Sequence, residues 1–412
     1  MTTALPVAST ARLRNVLQSA FWLLPALCVT ASIGLAIGLI TLDSYLPAAH
    51  GVLLYPGPPS GARSFLSSIV QAMISFTALV FSITIVVLQL TSGQFSPRVL
   101  RMFLRDRTSQ LALGLFIATF VYAMVVQRAV RGSTGHDAVV PRIAVTVAFV
   151  FVLASVGLFI RYIGYVANMI RVATIIDAIA AESRALLEHR YPADLPEPGP
   201  ARLLPPPVCT EPAPRPGVIV SVNERVIAHL AANAGCVLVM TPRIGDFVPA
   251  GAPLFTVHAE HRGADVDLPG LRRRLHNEIA IDTERTMEQD LAFGFRQLID
   301  IAERALSPAV NDPTTACQVL DALRDLLRRL GTRHLPAGDV TGPDNQVRLR
   351  VPQYQFTDFL TLVITEIWRY GSGAAQVPGR IATMLTDLAA AALPAHCPAI
   401  RHWMRELGTA PE

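Results

Sequence analysis

The sequence predicts a membrane α-helical protein: four transmembrane helices come first, and a cytosolic α+β region with a small β module and a helical C-terminal domain follows them. Four long apolar segments lie within residues 1–165, and about 20 apolar residues suffice to cross a bilayer as a helix. Only 16% of the 412 residues are charged, against about 25% in a typical soluble domain. Most acidic residues come after these segments, which indicates a lipid-embedded first part and a water-exposed second part.

The four segments cover about residues 20–42, 65–90, 111–130 and 139–163. Since lipid offers the backbone no hydrogen-bonding partner, each must be a helix. Most arginines near the segments precede the first segment or follow the second or the fourth, and these three positions share one side of the membrane. Fewer arginines lie on the other side. The positive-inside rule therefore predicts a multi-pass protein with both termini in the cytoplasm. All 35 basic residues are arginine, a composition typical of a GC-rich bacterial genome, so we expect the bacterial plasma membrane.

The second segment carries polar residues at helical spacing, which places them on one side of the predicted helix. They are Ser68, Gln71, Ser75, Ser82 and Gln89, here named the polar stripe. A polar side chain that faces lipid leaves its hydrogen bonds unused, so the stripe is expected to face protein or water. Two interpretations remain open: a seam between packed helices, or the lining of a polar path. No acid or base lies midway along any segment, which disfavours a proton-coupled carrier.

After the membrane segments, residues 166–190 predict an amphipathic connector helix, and the ten prolines of residues 191–216 predict an extended linker. Residues 217–270 alternate short apolar runs with glycine turns, and the string Gly-Asp-x-Val-x-x-Gly resembles the barrel-sandwich modules that carry lipoyl or biotinyl groups. The chain has no lysine, so a barrel-sandwich-like module here cannot carry either cofactor. Residues 271–412 predict a helical cytosolic domain, with helices at about 278–306, 313–330, 356–370, 377–393 and 400–407 and one strand at 346–351.

Composition and motifs disfavour several classes of function. Lysine-dependent catalysis is excluded, and the chain lacks the GxSxG, HExxH and phosphate-loop strings, so we do not expect an enzyme. The five cysteines are widely spaced, which predicts neither a metal site nor a disulfide framework, and no cofactor is expected. A net charge of +4 is too small to indicate nucleic-acid binding.

Residues 285–316, RTMEQDLAFGFRQLIDIAERALSPAVNDPTTA, are here named the signature segment. They resemble the signature of a family of predicted bacterial membrane proteins of unknown function, which joins R-T-x-x-Q-D to A-L-S-P-A-x-N-D-P-x-T-A. The order of spans, glycine-rich β unit and helical tail resembles that family too. The resemblance implies this fold and a plasma-membrane location, and it implies no catalytic residues.

The signature segment contains a candidate cytosolic ligand site, composed of Asp290, Arg296, Asp300, Asn311 and Asp312. Carboxylate and amide oxygens of this kind bind hard cations. The alternative is structural: Asp312 caps a helix that begins at Pro313, and Asn311 satisfies backbone groups in the turn before it.

Two hypotheses about function follow. In one, copies of the chain form an oligomer that conducts an ion or solute along the polar stripe, and the cytosolic part gates or assembles it. In the other, the helices anchor a cytosolic sensing or interaction scaffold that does not transport. The expected partners are the lipid bilayer, further copies of the chain, and a cytosolic protein or small ligand.

Overall fold

The computed structural model describes residues 22–45, 54–94, 107–131, 140–169, 171–197, 199, 203–259 and 268–408. The chain divides into two compact units. The first, the membrane unit, lies within residues 15–171, and the second, the C-terminal unit, begins at Val172.

Four helices of the described chain are long and apolar enough to cross a membrane, with a mean hydropathy between 1.9 and 2.8. They are α1 (Leu23–Tyr45), α2 (Pro59–Gln94), α3 (Arg107–Ala129) and α4 (Arg142–Met169). Helix α3 packs against the other three and is the most deeply buried of them. Its Gly114 allows α1 to approach closely, because an added methyl group would lie 3.2 Å from the Cα of Pro25. The predicted four-span membrane part is therefore confirmed.

The C-terminal unit begins with α5 (Val172–Arg190), and its remaining helices are interleaved with strands. They are α6 (Glu224–Asn233), α7 (Leu268–Asn277), α8 (Leu291–Ala305), α9 (Pro313–Gly331), α10 (Phe356–Gly371), α11 (Val377–Ala391) and α12 (Cys397–Glu406). Helix α8 is central: it packs against α5, α9 and α10. Eleven of its 15 residues are buried, which suits a core helix rather than a surface helix.

In the described part of the C-terminal unit, eight short strands form two sheets. They are β1 (Cys209–Pro212), β2 (Gly217–Val222), β3 (Cys236–Met240), β4 (Phe247–Val248), β5 (Pro253–Ala259), β6 (Ile279–Asp282), β7 (Asp339–Thr341) and β8 (Val347–Arg350). One sheet has the order β1-β5-β3-β8-β7, with β3 and β8 parallel, and the other has the order β4-β2-β6. Apolar side chains of both sheets and of α6 and α7 share one core.

This arrangement confirms the predicted fold class, in that a mixed-sheet region and a helical C-terminal region follow four apolar helices. The barrel-sandwich resemblance is not confirmed, because β6, β7 and β8 lie after residue 270, outside the predicted module, and complete both sheets. Of these strands, β8 lies where a strand was predicted over residues 346–351. The helix predicted over residues 278–306 was wrong in its first half. Ile279 and Ile281 are buried in β6 beside β2, and the helix begins only at Leu291.

Candidate functional site

The polar stripe lies on the outside of the membrane unit. All five of its residues are exposed in the described chain. The buried apolar residues described in α2 include Ala62, Leu66, Ile69, Met73 and Val80. With 3.6 residues per turn, these buried residues lie almost diametrically opposite the stripe. Among the described residues, the stripe is thus not packed between helices of one chain.

The hydrogen bonds of the stripe leave part of its capacity open. Ser68 Oγ donates to Ser64 O (3.0 Å), and Ser75 Oγ donates to Gln71 O (3.1 Å), so these two hydroxyls are satisfied within α2. Within the described chain, neither the Gln71 amide nor the Ser82 hydroxyl has a hydrogen-bonding partner. A primary amide has two N–H donors and a carbonyl acceptor, so Gln71 keeps more unused hydrogen-bonding capacity than Ser82.

Other polar residues join the membrane helices to one another. Thr84 Oγ1 and Tyr162 OH are 2.8 Å apart across α2 and α4, and Thr119 Oγ1 and Ser155 Oγ are 3.0 Å apart across α3 and α4. These pairs are the interhelical hydrogen bonds that are typical of membrane bundles. The stripe takes no part in them.

Two charged residues complete helix ends at one side of the membrane unit. The Asp43 carboxylate, in the last turn of α1, accepts hydrogen bonds from the Ile143 and Ala144 N–H groups in the first turn of α4 (3.1–3.2 Å). Arg63, in the first turn of α2, donates to Val130 O after the end of α3 (2.9 Å). The negative Asp43 therefore lies at the N-terminal end of α4, and the positive Arg63 lies at the C-terminal end of α3. Each charge stabilises the helix dipole that it faces.

Asp290 is a buried residue of an ion pair and caps a helix. Its side chain is 2% exposed, its Oδ2 lies 2.5 Å from Arg285 Nε, and its Oδ1 accepts the Phe293 N–H (3.1 Å) at the start of α8. Burial raises the pKa of the Asp290 carboxyl above its usual range, and the hydrogen bonds from Arg285 and Phe293 oppose that shift. A buried pair of this kind costs several kcal/mol when one partner is lost.

The pair lies directly against the turn before β4. Gly245 has a φ of +95°, and a methyl group on it would overlap Asp290 Oδ2 and come within 2.7 Å of Arg285 Nε. Next to it, the Arg243 guanidinium lies over the Tyr354 ring (4.5 Å). Because Gly245 belongs to the sheet region and Asp290 to the signature segment, the first half of the signature joins the sheets to α8.

Gln289 strengthens this junction. Its Oε1 accepts the Val222 N–H (3.0 Å), and its Nε2 donates to Val222 O (3.3 Å), so the side chain pairs with β2 as a further strand would. The arginine, glutamine and aspartate of the R-T-x-x-Q-D half of the signature therefore each have a structural role at this junction.

Arg296 is the centre of an acidic cluster. Its guanidinium lies near three carboxylates: Asp300 (2.7 Å), Glu303 (3.1 Å) and, on α10, Glu366 (3.2 Å). Sequence reasoning selected Arg296 and Asp300 and missed the two glutamates. Glu303 follows Arg296 by seven residues, which is two helical turns and a usable signal. Glu366 is distant in the sequence, and no pattern pointed to it.

Asn311 and Asp312 shape the turn between α8 and α9. Asn311 has a φ of +49°, a backbone conformation that asparagine tolerates better than most residues. Asp312 caps α9, with its carboxylate accepting the Thr315 N–H (3.1 Å) and hydroxyl (2.6 Å), and Pro313 begins the helix. These bonds lower the pKa of Asp312, the Thr315 hydroxyl first.

The five residues of the candidate ligand site do not converge. Asp290 and Asp312 lie at opposite ends of α8, whose 15 residues span about 22 Å. The side chains of Arg296 and Asp300 do contact each other. Among the described residues, no group of three or more His, Cys, Asp or Glu side chains is placed to hold a metal ion. A ligand role for these residues stays a prediction.

Helix α5 packs closely against Gly294 of the signature segment. A methyl group there would overlap Ser183 Oγ, a fully buried hydroxyl without a hydrogen-bonding partner in the described chain, and would lie 3.1 Å from Met287 Cε. We expect Gly294→Ala to destabilise the protein by about 1–3 kcal/mol through overpacking. In a Ser183→Ala background most of that loss should disappear, since the overlapping oxygen is gone and alanine favours a helix over glycine.

The check is a double-mutant cycle on the melting midpoint of the purified full-length chain. Ser183→Ala alone is the control, and it should cost little because the hydroxyl has no partner. An equal cost of Gly294→Ala with and without Ser183 would contradict this packing.

Comparisons with known proteins agree with this architecture. Residues 18–387 match the model of a family described as "Predicted membrane protein (DUF2254)". Uncharacterised proteins of Mycobacterium bovis and Mycobacterium tuberculosis are each 34% identical over 370 residues, which is 87% of this chain and 69% of theirs. No solved structure matches the chain. The family match covers most of the chain, including the four helices and the signature segment, and the chain therefore belongs to the DUF2254 family of predicted membrane proteins.

Proposed function

We propose that this protein is an oligomeric conduit of the bacterial plasma membrane. Several copies assemble with α2 turned toward a shared axis, and the polar stripe lines a path for an ion or a small polar solute. The C-terminal unit lies in the cytoplasm, as both termini do, and it regulates or assembles the conduit. No catalytic step is part of this function.

The observation that carries the proposal is the position of the polar stripe opposite the buried side of α2. A glutamine in contact with hydrocarbon leaves its amide unsatisfied, which is unfavourable in a membrane. The described residues of the chain offer the Gln71 and Ser82 side chains no hydrogen-bonding partner. A second copy of the chain, or water held between copies, supplies what lipid cannot.

The rest of the exposed membrane surface is different. Leu27 on α1 and Leu153 and Ile160 on α4 are between 56% and 67% exposed, as expected for residues in contact with lipid tails. The stripe thus differs from these exposed leucine and isoleucine side chains. Polar and functional residues of membrane helices face protein or a water-filled cavity, so the stripe is the surface on which copies meet.

The chemistry of the stripe supports passive conduction. Between Ser64 and Gln89 α2 carries no charged residue, and serine and glutamine supply neutral hydrogen bonds. Such a lining replaces part of the hydration of a small solute without binding it tightly, and binding must stay weak for the solute to leave.

The connection between the units supports regulation from the C-terminal unit. Helix α4 ends at Met169, and α5 begins at Val172. In the C-terminal unit α5 is held firmly: Arg333 bonds both oxygens of Glu188 (2.8 Å each) and donates to Tyr191 O (2.7 Å). Only residues 170 and 171 separate α4 from α5 in the sequence, and this short connection is the proposed route of regulation.

The test is flux through the purified full-length protein in liposomes, measured for a monovalent cation, chloride and glycerol. Flux of at least one of them, above that of protein-free liposomes, is expected. Absence of flux at acidic and at neutral pH, and under both signs of membrane potential, would remove the conduit proposal.

The alternative proposal is a membrane-anchored scaffold for sensing or interaction. The position of the signature segment in the C-terminal unit, outside the membrane helices, favours it. A cytosolic protein recovered by crosslinking to the C-terminal unit, together with absent flux, would support the scaffold over the conduit.

A further inference from the structure

The interface of α8 and α10 contains more carboxylates than one cation can balance. The Arg296 guanidinium faces Asp300 and Glu303 on its own helix and Glu366 on α10. With all three carboxylates ionised, this cluster has a net charge of −2 at a partly buried position. The side chains of Glu303 and Glu366 are 20% and 33% exposed, so water screens their repulsion only in part.

The carboxyl groups of Glu303 and Glu366 lie 3.1 Å and 3.2 Å from the same Arg296 guanidinium, and two neighbouring carboxyl groups can form a hydrogen bond only when one of them holds a proton. Burial, and then the hydrogen bond from Glu366, raises the pKa of Glu303 to about 7, against an opposing effect of Arg296. The proton therefore leaves within the physiological range of pH.

We propose that Glu303, Glu366 and the Arg296 between them form a proton-dependent latch that holds α10 on α8. With the proton present, the two glutamates share a hydrogen bond across the interface, and both contact Arg296. When the proton leaves, the two carboxylates repel each other, and the contact between the helices weakens.

The charges that act on Glu303 come from Arg296, Asp300 and Glu366. Arg304 on α8 and Arg369 on α10 are the neighbouring cations along the same helices, and both are exposed. Helices α5 and α9, which also pack on α8, bury aliphatic side chains such as Ile176, Ile179 and Leu320.

The latch has a route to the membrane helices within the C-terminal unit. Helix α8 contacts α10 through the latch and contacts α5 where Ser183 meets Gly294. Helix α5 begins two residues after α4 ends. Regulation of a conduit by cytoplasmic pH through this route depends on the proposed function, but the latch itself does not.

The sign of the effect follows from the raised pKa. The folded chain keeps the Glu303 proton up to about pH 7, whereas an unfolded chain loses it near the ordinary value of 4.5. The contribution of this group to stability is therefore complete below the ordinary value and is lost as pH rises through about 7.

The test compares the wild type with Glu303→Gln in full-length protein in lipid nanodiscs, at about pH 6 and about pH 8. Glutamine stays neutral and keeps an N–H donor for Glu366, so it imitates the protonated state. Between pH 6 and pH 8 we expect the melting midpoint of the variant to rise by roughly 2–4 °C relative to that of the wild type. The slowing of amide exchange of residues 291–305 and 356–371 in the variant should likewise be larger at pH 8 than at pH 6.

The matched control is Asp387→Asn, which removes a carboxylate bound by Arg324 and Arg328. The Arg324 hydrogen bond lowers the pKa of Asp387, so this substitution should have the same effect at both pH values. Glu366→Gln is the second test variant, in case Glu303→Gln folds poorly. A difference between variant and wild type that is equal at pH 6 and pH 8 for both glutamates would overturn the latch. This test measures melting midpoints and amide exchange and does not measure flux. Its result therefore does not depend on whether the conduit proposal is correct.

Discussion

Gly245→Ala is expected to prevent stable folding of the C-terminal unit, the largest effect that we predict for a single methyl group. The new carbon would occupy the space of Asp290 Oδ2 and crowd Arg285 Nε, so the buried ion pair would have to separate. Loss of a buried pair leaves two charges poorly compensated, which costs about 3–5 kcal/mol. The positive φ of +95° adds strain for any residue with a side chain.

Gly251→Ala is a matched control in the same region. Gly251 also has a positive φ, +78°, but a methyl group there would meet no atom within 4 Å. We expect it to cost only the backbone strain, roughly 1–2 kcal/mol. The measurement is the yield and melting midpoint of each full-length variant in detergent. Similar losses at the two positions would show that the Arg285–Asp290 pair does not govern the stability of this junction.

Ser75→Leu is expected to reduce flux through the reconstituted protein to less than about a tenth of the wild-type value. Leucine would place an apolar branch on the proposed path, and apolar constrictions exclude water from narrow pores. The side chain of Ser75 is exposed, and its hydroxyl bonds only the backbone of its own helix, so the packing within one chain should not change. Ser82→Leu should reduce flux in the same way, because Ser82 lies about two helical turns further along α2 on the same side.

Ile74→Ala serves as the control on flux. Ile74 is 51% exposed and lies at the same depth, but it points about 100° away from Ser75. We expect normal flux from this variant. Equal flux from the wild type and Ser75→Leu, with both proteins folded, would contradict a path along the stripe.

Helices with strong local signals were predictable from the sequence. From Asp312 and Pro313 we predicted the start of α9, with Asp312 as the cap and Pro313 as the first helical residue. The structure confirms both positions. The first half of the 278–306 prediction failed because β6 has only four residues, and its partner β2 lies about 60 residues earlier. Pairing over that distance leaves no periodic mark in a segment so short.

The polar stripe shows the same division between local and long-range information. Helical periodicity placed Ser68, Gln71 and Ser75 on one side of α2, and they do lie there. Whether that side is buried or exposed depends on which face of α2 packs against α3 and α4. That packing involves residues distant in the sequence, so no local pattern predicts it. The Arg296 cluster was likewise only half predictable, since Glu366 reaches it from another helix. The arginines that decided the orientation at positions 12, 14, 98, 101 and 105 lie outside the described residues.

The most direct test of the conduit proposal is disulfide crosslinking between copies of α2 in native membranes. Ser75→Cys is placed in a background whose five cysteines are replaced by alanine, and Ile74→Cys in the same background is the control. If the stripe faces a shared axis, mild oxidation crosslinks Ser75→Cys to a covalent dimer and leaves Ile74→Cys mostly monomeric. Equal crosslinking at both positions, or none at Ser75→Cys, would show that the polar stripe does not face other copies of the chain.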